Sequence, residues 1–267
     1  MARVLFSNTL ASLTPTDGGW NAIVGEDWSQ GRATFGGMVA ALGNEAMRRL
    51  VPAERLLRGL DTTFVGPVIA GGVRIEAELL RIGRAVTVAY ARIWSNGNVA
   101  ATTTGVYGAA RESSLALAAP VASGVPRAEV LADREPISKS GGPTFLQHFG
   151  FRWAEGSQPF AATSSRNAKI YVRHMDTAAL TESHIVALID CIPSVVLQLM
   201  TKPAPSSSLT WNVQFLRHDY SFPPDAWWRI DSEVNAASSG YSCESCTLID
   251  PSGAPAALAR QIVAVFG

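Results

Sequence analysis

Between His184 and Lys202 the chain carries a single charged side chain, Asp190, within the apolar run Ile185-Val-Ala-Leu-Ile-Asp-Cys-Ile-Pro-Ser-Val-Val-Leu-Gln-Leu-Met200. A helix that is apolar on nearly all sides is a buried helix. An unpartnered charge inside one is costly, so Asp190 is paired, protonated or kept for chemistry. A partly desolvated carboxylate is a stronger base than one in water, which suits it to drawing a proton from a nucleophilic water. Pro193 cannot donate to the carbonyl of Ile189, so the helix is interrupted beside the acid.

Other chemistries have less support. The sequence contains no Gly-x-Ser-x-Gly elbow, so a hydrolase triad has no nucleophile. His148, His174, His184 and His218 lack metal-ligand spacing and read as structural. Cys191 reads as buried packing. Cys243 and Cys246 are spaced like zinc ligands, but three residues apart on a strand they point to opposite faces, and only Cys191 is left to complete a site. No metal or organic cofactor is expected. Arg48, Arg49, Arg55, Arg58, Arg81 and Arg84 could hold a phosphorylated ligand, although surface solvation explains them as well.

The 267 residues suffice for one large domain or two ordinary ones. With 47% apolar and 16% charged residues, a sizeable core is expected and disorder is not. Lys plus Arg equals Asp plus Glu, 22 each, which argues against nucleic acid or an anionic membrane as a partner held by bulk charge. Met1-Ala-Arg-Val-Leu-Phe6 is too short for a signal peptide. The run around Asp190 is broken before the roughly 20 residues of a membrane span. Three cysteines make no disulfide framework, and the expected location is the cytoplasm.

The elements that would position Asp190 come in two similar series. In the first, Met38, Leu42, Ala46 and Leu50 mark one face of a helix that Val51-Pro52 ends. Gly36, Gly37, Ala40, Ala41 and Gly43 leave its backbone open to close approach. Four strands are expected next, within Leu56–Phe64, Val73–Leu79, Val86–Trp94 and Val99–Tyr107, with Asn96-Gly97 as a hairpin turn. The second series begins with the helix of Asp190, near 182–200. Strands follow from Leu209 to Phe215, from Trp228 to Val234, from Gly240 to Ile249 and from Ala256 to Phe266, with a turn at Asp250-Pro-Ser-Gly253. Between the series, residues 111–143 are rich in Ala, Ser and Pro (Pro120, Pro126, Pro136) and read as a connector. The expected division is 1–110, 111–143 and 144–267, an α+β chain in which the plan is duplicated.

This order resembles a double hotdog protein of the acyl-CoA thioesterase II type. The resemblance rests on Gln30-Gly-Arg-Ala-Thr-Phe-Gly-Gly-Met-Val-Ala-Ala-Leu42, Asp61-Thr-Thr-Phe-Val-Gly-Pro67, Arg81-Ile-Gly-Arg84 and Asn96-Gly97 in the first half. In the second half it rests on Leu188-Ile-Asp-Cys191, Ser208-Leu-Thr-Trp-Asn-Val-Gln-Phe-Leu-Arg217 and Arg260-Gln261. It implies two antiparallel sheets, each wrapped on a long central helix, a homo-oligomer, and hydrolysis of acyl-CoA to free acid and CoA. It also implies that a helix aspartate, a strand hydroxyl and a glutamine hold and activate water, and these fall on Asp190, Ser208 and Gln261. Threonine is usual where Ser208 stands, and the following Asp-His pair is here Thr210-Trp211, so Thr210 shares the candidacy for the hydroxyl. Gly36 and Gly37, at a helix start, are candidate oxyanion donors. An acyl-CoA-binding protein without vigorous catalysis and a hotdog enoyl-CoA hydratase are the alternatives. The hydratase would carry a histidine beside the acid.

Overall fold

The computed structural model describes residues 3–117, 119–120, 124–133 and 141–266. The first half runs α1 (Phe6–Ala11), β1 (Thr14–Thr16), β2 (Gly19–Val24), the small hairpin β3 (Ser29–Gln30) and β4 (Ala33–Thr34), and then α2 (Gly36–Arg48). It continues through β5 (Leu56–Phe64), β6 (Gly71–Ile82), β7 (Val86–Ser95) and β8 (Asn98–Gly108). The second half holds β9 (Phe149–Glu155), β10 (Asn167–His174), α3 (Glu182–Asp190), β11 (Ser206–Phe215), β12 (Trp228–Ser238), β13 (Tyr241–Ile249) and β14 (Pro255–Val265). Asn96 and Gly97 both take positive φ, 50° and 77°, as a tight hairpin turn demands.

The two halves share one twelve-stranded antiparallel sheet, in the order β1-β2-β6-β7-β8-β5-β11-β14-β13-β12-β10-β9. This corrects the expectation of two separate sheets. The seam is β5 against β11, with Thr210 opposite Thr63, Asn212 opposite Asp61 and Gln214 opposite Gly59. The Asn212 amide donates to Asp61 Oδ1 at 2.7 Å across it. Each seam strand carries a bulge, between Leu57 and Gly59 in β5 and between Ser208 and Thr210 in β11.

Helices α2 and α3 lie on the inner face of this sheet and pack against each other. They run antiparallel: Gly37 faces the Cα of Ala187 at one end, and the Asn44 amide donates to Ser183 Oγ at 2.9 Å at the other. A Cβ at Gly37 would lie 3.0 Å from that Cα and 2.6 Å from the Phe35 ring, so the missing side chain is what allows the helices to meet.

The helices are shorter than expected. α2 has thirteen residues, and α3 has only nine, opened by a capping box between Thr181 and His184. Pro193 removes a donor and holds Ile192 out of helical backbone, so the chain leaves α3 at Asp190 and resumes as a 3-10 turn over Val195–Leu199. The stretch from Glu182 to Leu199 has the hydropathy of a membrane span, yet 67% of it is buried within the protein.

The described part of the connector lies along β9 and β10. Ala128 accepts a hydrogen bond from Arg152, Pro126 accepts one from the Tyr171 hydroxyl, and Asp133 pairs with Arg152 at 2.6 Å. Pro136 lies outside the described residues.

Candidate active site

Asp190 is the last residue of α3. Gly36 and Gly37, at the start of α2, crowd its carboxylate: a Cβ on Gly36 would sit 3.0 Å from Oδ2 and 3.1 Å from the Phe64 ring. The rest of the side chain faces a cleft of about 20 Å³, bounded by Ile189, Ile192, Trp211, Glu244 and Gln261 among others. A water needs roughly 10–15 Å³ by this kind of measure, so the cleft holds about one. Removal from bulk solvent raises the Asp190 pKa to about 7, and the Gly37 N–H, which approaches the carboxylate, pulls it back only in part. The acid is therefore poised between its two forms near neutral pH, where a general base works best.

Gln261 sits on the inner face of β14, opposite Trp211, and lines the same cleft. The Ser208 hydroxyl donates to Gln261 Oε1 at 3.1 Å, which leaves the amide NH2 available to a water. Simple alternation would put Ser208, Thr210 and Asn212 on one face, and here the structure differs. The bulge pairs Ser208 with Val263 but Thr210 with Ile262, so the phase of side chains reverses between them. Val263 is buried whereas Ile262 is 42% exposed. Ser208 thus turns inward to Gln261, while Thr210 is exposed on the outer face. Of the six sequence candidates, Asp190 and Gln261 line the cleft, Ser208 reaches it through Gln261, and Gly36 and Gly37 touch Asp190 without lining the cleft. Thr210 stands apart.

The remaining reactive side chains have other partners. Burial pushes the Cys191 thiol well above its ordinary pKa and Cys246 up to about 12, with the Asp190 charge adding to both. Neither is a thiolate at neutral pH. His148 pairs with Asp27 at 3.0 Å, His174 bonds the His184 carbonyl, and His218 bonds that of Leu57. Among the described residues no three His, Cys, Asp or Glu side chains converge as a metal site. Arg48 is engaged by Glu182, and Arg55 is buried against Thr87 and the Gly83 carbonyl, so neither is free for a ligand. The sequence reading missed Glu244. It shares the inward face of β13 with Ser242 and Cys246, and the alternation of that strand was the signal that could have found it.

The family model of the acyl-CoA thioesterase N-terminal domain matches residues 24–108, and that of the C-terminal domain matches residues 124–265. The chain belongs to the acyl-CoA thioesterase family. No curated protein matches it by sequence. Among solved structures, this thioesterase is similar to a conserved protein of unknown function with a hot dog fold from Alicyclobacillus acidocaldarius, at 20% identity over 98% of both chains with a TM-score of 0.87. It is also similar to the tesB protein of Mycobacterium avium subs paratuberculosis, at 14% identity over 98% of both chains with a TM-score of 0.81. A third likeness is to the acyl-CoA thioesterase II TesB2 of Mycobacterium marinum, at 16% identity over 97% of this chain and 98% of that one, with a TM-score of 0.74. These likenesses show the hotdog fold, here with both halves in one sheet.

Proposed function

We propose that this thioesterase hydrolyses fatty or related acyl-CoA to the free acid and CoA through a water activated by Asp190. The observation that carries the reading is that Asp190 and Gln261 face one cleft with room for about one water. The Asp190 carboxylate takes a proton from that water as its oxygen attacks the thioester carbon. The tetrahedral oxyanion collapses, the C–S bond breaks, and the proton held by Asp190 goes to the departing thiolate. Gln261, steadied by Ser208, orients the water without titrating. The start of α2 brings its dipole to the same acid, where it favours the oxyanion as well. Among the described residues no histidine lines the cleft, which disfavours the hydratase reading.

The test is CoA release from a panel of acyl-CoA chain lengths, with Asp190→Asn as the comparison. A general base contributes about 10²- to 10⁴-fold, so turnover falls by that order while acyl-CoA binding is retained. Parent protein that binds acyl-CoA without releasing CoA would be a binding protein. Hydrolysis by Asp190→Asn at the parent rate would place the base elsewhere.

A further inference from the structure

Glu244 is a second carboxylate on the wall of the same cleft, and the hydrolysis described above does not use it. It is 2% exposed. Its two oxygens accept from Ser194 Oγ at 2.5 Å, from the N–H groups of Val195 and Val196 at 3.1 Å each, and from Ser242 Oγ at 3.2 Å. Three of these donors converge on Oε1 and one meets Oε2, so the carboxylate is engaged from two elements at once. It is well placed to hold something still.

What it holds is the chain just beyond the acid. Ser194, Val195 and Val196 open the 3-10 turn on the far side of Pro193 from Asp190, where the first N–H groups have no partner within the turn. In the register of β13 and β14, Glu244 stands directly opposite Gln261. One carboxylate therefore ties the segment leaving Asp190 to the strand that neighbours Gln261. Resting on the reading that Asp190 activates the water, we propose that Glu244 is the positioning residue of this site. It pins the turn after Asp190 to the sheet and so sets the spacing of acid and amide around a single water.

The titratable groups lining the cleft with Asp190 are Glu244 and Cys246 on β13 and Arg260 on β14, with Cys191 next to it in the chain; Gly36 and Gly37 of α2 and Phe64 of β5 face it without a titratable group. The test uses Glu244→Gln, whose amide nitrogen cannot accept from a backbone N–H, and the milder Ser194→Ala. A misplacement of about 1 Å can cost roughly 10²-fold, so kcat of Glu244→Gln falls by about that factor with KM little changed. Ser194→Ala moves kcat the same way by less. Carboxyl ¹³C NMR reads the placement without any turnover. The Asp190 pKa, about 7 in the parent, should fall in Ser194→Ala, which removes no charge, because a loosened turn lets solvent reach the acid; in Glu244→Gln the loss of a neighbouring carboxylate lowers it as well, so Ser194→Ala is the arm that reads placement. A purely structural glutamate would lower thermal stability and leave that titration where it was. Folded variants with the parent kcat and the parent titration overturn the proposal. If Glu244→Gln does not fold, the titration of Ser194→Ala decides. A parent that releases no CoA from any acyl-CoA defeats the hydrolysis reading instead, and the titration shift still shows whether Glu244 sets the environment of Asp190.

Discussion

At the scale of the residue, one carboxylate has conflicting duties. Burial makes Asp190 a useful base and a poor structural element. Its pKa rises on folding from 3.8 to about 7, so the folded state binds the proton more tightly than the unfolded one. The stabilising contribution is fully present below pH 3.8 and is lost as pH rises through 7. Asp190→Asn is therefore expected to match the parent in acid and to exceed it by roughly 2–4 kcal/mol at pH 8, measured by urea unfolding at both pH values. If the variant is less stable at pH 8, the carboxylate has a structural partner. The hydroxyl question has an equally direct check. Ser208→Ala should lower turnover, because Gln261 loses the bond that orients it, whereas Thr210→Ala should leave turnover within about twofold, as for exposed positions generally. A larger loss from Thr210→Ala would reverse the assignment.

At the scale of the element, what was legible in the sequence depended on how local the cause is. The helix at Gly36–Arg48, the Asn96-Gly97 turn and the buried run ending in Asp190 follow from periodicity and turn chemistry, and the structure has them. The early end of α3 was half legible, since Pro193 announces a break but not that the chain would resume as a 3-10 turn. The bulge at Ser208 was not legible. It depends on the register of β11 against β14, which brings together residues some fifty positions apart. The alternation of β13 marks Glu244 as inward, but what it holds was hidden for a related reason, because those donors lie on another element. The contact of α2 with α3 yields a prediction of its own. Alanine is the better helix former by about 0.5–1 kcal/mol, yet Gly37→Ala would drive a methyl into the Phe35 ring and the Ala187 backbone. Overpacking of this kind costs about 1–3 kcal/mol, so the variant should melt below the parent in a thermal scan. A higher melting temperature would mean that the helices separate easily.

At the scale of the whole molecule, the base of the fold is sensitive to acid. Phe6 of α1 lies with its ring centroid 5.3 Å from that of His174 and 4.9 Å from that of His184, and Trp28 stacks on His148 at 3.7 Å. Burial is the main cause that lowers the pKa of His148 to about 4, His174 to about 3 and His184 to about 4. The unfolded chain takes up these protons near pH 6.5 and the folded chain does not, so stability is complete above 6.5 and is lost as pH falls toward 4. Urea midpoints measured from pH 7 to pH 4.5 should fall steadily, and a flat series would show that the histidines relax without unfolding.

The seam between β5 and β11 also bears on what would happen if the chain were no longer continuous. Severed from the other, either half would present a bare sheet edge whose best complement is the edge it has just lost. The peptide at Leu115 and Leu117 is open to a protease, these side chains being 80% and 93% exposed, whereas Pro126, Ala128 and Asp133 of the connector are tied to β9 and β10. A nick between residues 113 and 117 should therefore yield two fragments that elute together from a sizing column. The same fragments, expressed separately and mixed, should reconstitute CoA release. The covalent link would then serve mainly to raise the effective concentration of one half for the other. Fragments that separate without denaturant would show instead that the connector, rather than the shared sheet, joins the two halves.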